Sequence, residues 1–102
     1  MSKLVMFYAE VDAIEAPIDL DEDREIILIL VKQADHEENN FLNARRIAEA
    51  AGWKHVEVTQ AGVVDPDIDD NQVIYLAKQS AMQYGYAILR YSDIISGEEN
   101  ND

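Results

Sequence analysis

A chain of 102 residues has room for one domain and one hydrophobic core, and its 48% hydrophobic content is that of a globular protein. Eight Lys and Arg against 21 Asp and Glu give a net charge of −13, which disfavours nucleic acid and anionic membrane surfaces, since both are bound by neutralising phosphates. The chain has no cysteine, which excludes disulfides, thiolate metal sites and cysteine nucleophiles together.

Residues 3–11 (KLVMFYAEV) read as a strand, and residues 12–23 as an acidic loop broken by Pro17. Residues 24–32 (REIILILVK) form a second strand whose six consecutive aliphatics predict burial on both faces. A helix is expected over 34–52, with Asp35 as N-cap, Glu38 completing a capping box, and Gly52 just past the end. Its buried stripe is Phe41, Ala44, Ile47, Ala48 and Ala51. Residues 53–60 alternate as a strand with one wet face, and Gly62 follows as a turn or bulge. A second helix spans 71–84, stopped by Gly85, and residues 86–91 (YAILRY) make the last strand. Residues 1–95 are read as one compact domain and 96–102 as a disordered acidic tail.

The fold class is therefore α/β, or α+β in two layers: a mixed four-stranded sheet with two helices in the order β-β-α-β-α-β. Helical crossovers predict that the last three strands are parallel, with the first antiparallel beside the second. Two helices on one face would leave the other face of the second strand uncovered, and a homodimer that covers it is expected on that ground. One helix on each face would remove that need.

The segment VVDPDIDDNQ (63–72) holds four aspartates before the second helix. An EF-hand loop beginning at Asp65 would need Gly at its sixth position and Glu at its twelfth, where Asp70 and Leu76 stand. Helix initiation accounts for more. With Asp69 as N-cap, Gln72 falls at N3, Ile68 and Val73 can form a hydrophobic staple, and Asp70 meets the positive end of the helix dipole. His36-Glu37-Glu38-Asn39-Asn40 lacks the second histidine of a zinc motif, and no phosphate-binding glycine loop or G-x-S-x-G elbow is present. No metal or cofactor is expected, and the absence of a catalytic motif leans against an enzyme.

Two sets of candidate site residues remain. The acidic runs Asp19, Asp21, Glu22, Asp23 and Asp65, Asp67 could dock a basic protein surface, as an inhibitor or immunity-type protein would. Arg90, set inside an apolar strand, needs either solvent or a carboxylate partner. With Tyr91 and His55 it could form an anion pocket. The leading expectation is a small acidic, non-enzymatic interaction module. The alternative is a small-ligand binding domain or acid–base enzyme near Arg90. The N-terminal apolar run, interrupted by Glu10, is too short for a secretory signal, and no stretch is long enough to span a bilayer, so a cytoplasmic location is expected.

Overall fold

A computed structural model describes residues 2–12, 24–68 and 71–91. The elements are β1 (Ser2–Asp12), β2 (Arg24–Ala34), α1 (Phe41–Ala50), β3 (Glu57–Val64), α2 (Gln72–Tyr84) and β4 (Tyr86–Arg90). The expected order and the α+β class are found, and the strands lie side by side as β3-β1-β2-β4.

Every pairing in the sheet is antiparallel, which corrects the mixed sheet. β2 and β3 do run in the same direction, but β1 lies between them. β4 reverses because α2 does not return along the sheet. The middle of α2 bonds to the β3–α2 connection through Lys78 and Gln79, and the helix packs over β1, β2 and β4 and delivers Tyr86 opposite Val31 at the Val64 end of the sheet.

β2 is buried on both faces over Ile27–Val31, while Ile26, the first of its six aliphatics, is 41% exposed. Ile27, Ile29 and Val31 join Val5, Phe7, Ala9 and Val11 of β1 in one core, closed by Ala44 and Ala48 of α1 with Trp53 and Val56. Leu30 and Leu4 face the other way, under Ala77 and Ala81 of α2. Each face thus has its own helix, and the argument that a second copy must cover β2 falls away.

Both helix starts differ from expectation. β2 continues to Ala34, paired with Ser2, so residues 35–40 form a turn and α1 begins at Phe41. Its N-cap is Asn40, not Asp35: the Asn40 side chain accepts from the Asn43 amide at 3.0 Å. The C-terminus closes as expected at Gly52, whose φ is +104°. Gly52 N donates to Glu49 O and Trp53 N to Ala48 O, a Schellman closure that turns Trp53 into the core.

α2 is capped by Asn71, whose Oδ1 accepts from Ile74 N at 3.1 Å. This displaces the cap from Asp69 by two residues and dissolves the proposed staple, in which Ile68 is 52% exposed. Asp69 and Asp70 lie outside the described residues. Asn71→Ala is expected to lower the unfolding free energy by about 1 kcal/mol. A denaturation midpoint unmoved by that change would reassign the cap.

β3 starts four residues later than expected and runs through Gly62, which pairs with Met6 instead of turning the chain. The bulge sits at Thr59, where the register with β1 shifts between Tyr8 and Ala9. β4 ends at Arg90, one residue short of the expected strand. The 96–102 tail is outside the described residues.

Candidate functional site

β1 sets the geometry of both candidate regions. Leu4, near its start, pairs with Val64, and Asp12, at its end, pairs with Arg24. At strand spacing these two ends are about 26 Å apart.

At the Leu4 end, the connection from β2 to α1 and the connection from β3 to α2 both leave the sheet, toward helices on opposite faces. They carry Asp35, Glu37 and Glu38 on one and Asp65 and Asp67 on the other, all exposed. Only β1 separates β2 from β3, so the two strand ends stand about 10 Å apart.

Both connections are held in shape. Glu37 N donates to Ala34 O at 3.0 Å, and the Glu37 carboxylate accepts from Ala34 N at 3.2 Å. Lys3 Nζ donates to Glu37 O, and Gln33, buried beneath, donates from Nε2 to Glu38 O. In the second connection Asp65 Oδ1 accepts from Asp67 N at 2.9 Å, an Asx turn across Pro66. Gln79 Nε2 donates to Pro66 O at 2.8 Å, and the buried Lys78 amine donates to Ile68 O at 3.2 Å. The carboxylates therefore stand on preordered backbone, which reduces the entropy lost when a partner binds.

Asp65 and Asp67 thus lie at the same end of the sheet as Asp35, Glu37 and Glu38, of which Asp35 and Glu38 were expected to cap a helix. The signal available in the sequence was HEENN, which is polar throughout and carries Asn at its end. Asp19, Asp21, Glu22 and Asp23 lie outside the described residues, and Arg24, which follows them, is at the opposite end of the sheet.

Arg90 is at that opposite end. Its Nε and Nη2 donate to the two Glu25 carboxylate oxygens at 2.9 and 3.3 Å, a forked pair in which Glu25 is mostly buried. The guanidinium also lies 5.9 Å from the centroid of the Trp53 ring. Glu25 reaches it because Ile27 pairs with Arg90 and residues two apart share a strand face. His55 also lies near the end of β1, paired through Nδ1 with Asp12, while Asp12 N donates to Lys54 O at 3.0 Å. His55 adopts a left-handed backbone, φ +53°. Tyr91, just past β4, is 43% exposed.

Among the described residues, no group of three or more His, Asp or Glu side chains is placed to hold a metal ion. No helix among them is long and apolar enough to cross a membrane. Comparison of the chain with protein-family models, curated proteins and solved structures finds no match.

Proposed function

We propose that this protein is a non-enzymatic interaction module of the cytoplasm, and that it engages a basic protein surface through the end of the sheet bearing Asp35, Glu37, Glu38, Asp65 and Asp67. The observation that carries the reading is that two hydrogen-bonded acidic connections leave the same end of the sheet, from strand ends about 10 Å apart, in a chain whose net charge is −13. Such an array steers a cationic partner and orders its docking, and little loop ordering opposes the bound state.

An anion site at Arg90 is the weaker reading, because an incoming anion competes with the Glu25 carboxylate for the same guanidinium donors. A rise in melting temperature with one class of small anion would favour it instead.

The test uses the immobilised chain and lysate of its source cell, eluted by a salt gradient. A variant carrying Asp35→Asn, Glu38→Gln, Asp65→Asn and Asp67→Asn removes four charges and keeps the Asx turn. A control carrying Glu10→Gln, Glu49→Gln, Glu98→Gln and Glu99→Gln removes four elsewhere. A basic protein retained by the wild type and the control but lost by the first variant is the expected result. Equal loss from both variants, or retention of nothing, would overturn the assignment.

A further inference from the structure

The two helices differ in what they show to water. A surface helix ordinarily carries charge on its solvent side, and α1 does so with Arg45, Arg46 and Glu49, all exposed. The exposed residues of α2 are Gln72, Leu76, Gln79, Ser80, Gln83 and Tyr84, and none is charged. Its one charged residue, Lys78, is 4% exposed and donates to Ile68 O. Charged residues make up 28% of the chain, so a helix of 13 residues with none at its surface departs from the rest of the molecule.

The uncharged residues are contiguous. Gln72, Leu76, Gln79 and Gln83 recur at helical spacing and form one stripe, with Ser80 beside it. Leu76 is 57% exposed and Tyr84, at the end of the helix, 73%. Such a surface can be covered without desolvating an ion, which is the costly step in burying charged side chains. Depletion of charge with retention of aromatic residues is also what distinguishes the core of a protein interface from its rim.

An acidic border runs along this stripe. Gln79 Nε2 donates to Pro66 O at 2.8 Å, so the exposed Asp65 and Asp67 flank a residue that touches the stripe. Ile68, 52% exposed, follows them. We infer that the outer face of α2 and the connection Asp65–Ile68 form one docking surface, and that it takes a protein segment whose apolar side is bordered by Lys or Arg. Charge selects this occupant: the acids match the cations, and the uncharged stripe accepts the apolar side. A second copy of the chain would bring carboxylates to that border in place of cations. The inference rests on the basic-partner reading and gives that partner its chemistry.

Calorimetric titration of the full chain with two synthetic peptides of about fourteen residues tests it. One is an amphipathic helix with leucine on one side and lysine on the other, and the second carries serine for each leucine at the same charge. The leucine–lysine peptide is expected to bind about tenfold tighter or more, and to shift the amide resonances of residues 65–68 and 72–84. Leu76→Glu adds an attractive charge but removes an apolar contact. It therefore weakens the leucine–lysine peptide about fivefold or more and tightens the serine–lysine peptide. Leu76→Gln, which adds no charge, weakens the first and leaves the second unchanged. Failure of both peptides to bind would sink the basic-partner reading and this inference with it. Equal affinity for the two peptides, or tightening of both by Leu76→Glu, would sink this inference alone. So would a mass of two chains by light scattering with the 72–84 resonances moving as concentration rises, because a second copy would then cover the face.

Discussion

Ile29→Ala and Leu30→Ala are each expected to lower the unfolding free energy by about 2–5 kcal/mol, measured by chemical denaturation. The two side chains are consecutive, fully buried and on opposite faces of β2. Ile29 packs with Phe7 and Ala44 beneath α1, and Leu30 with Leu4 and Ala81 beneath α2. Each truncation leaves a cavity in a different core, and the sheet between them limits relaxation. A layer with both helices on one face would make one of the two substitutions nearly free. Ile26→Ala is the internal contrast, since Ile26 is 41% exposed and its loss should cost well under half as much. A mild effect at either Ile29 or Leu30 would contradict the two-faced burial.

Trp53→Ala should cost about 3–5 kcal/mol. Trp53 is 8% exposed, completes the core under α1 and lies against the Arg90 guanidinium. Its truncation removes a large apolar surface and the cation–π contact together. Glu25→Gln is the smaller companion change, at about 1 kcal/mol, since it keeps the shape and removes the charge from a partly exposed pair. Trp53 is the chain's one tryptophan, so the variant's unfolding is followed by circular dichroism while the others can be followed by fluorescence. If Trp53→Ala cost no more than Glu25→Gln, the ring would not be part of the core.

Much of this fold was legible because the strongest patterns were unambiguous. Six consecutive aliphatics can be buried only with cover on both sides, and Gly52 and Gly85 do stop the helices they follow, each with φ above +100°. Strand direction was not legible, because it depends on where α2 crosses the sheet, and no local pattern in 72–84 encodes that path. Helix starts were misplaced for a simpler reason. Asp35 and Asp69 are acceptable caps, but Asn40 and Asn71 lie closer to the first buried turn, and sequence alone does not rank them.

The candidate site was half legible. Asp65 and Asp67 could be singled out as acids that no helix required, but Asp35, Glu37 and Glu38, at the same end of the sheet, come from a connection thirty residues earlier. Only the pairing of β1 with both β2 and β3 brings the two connections to one end. Arg90 was recognised as a charge needing a partner, and Glu25 became identifiable as that partner once the register of β2 on β4 was known.

The salt dependence of binding tests the central claim most directly. The dissociation constant of the basic protein retained by the acidic end is measured by titration against the full chain, from about 0.05 M to about 0.5 M salt. Binding carried by Asp35, Glu37, Glu38, Asp65 and Asp67 weakens at least about tenfold across that range, and the variant lacking four of these charges shows a shallower slope. An affinity that stays constant or rises with salt would contradict the account.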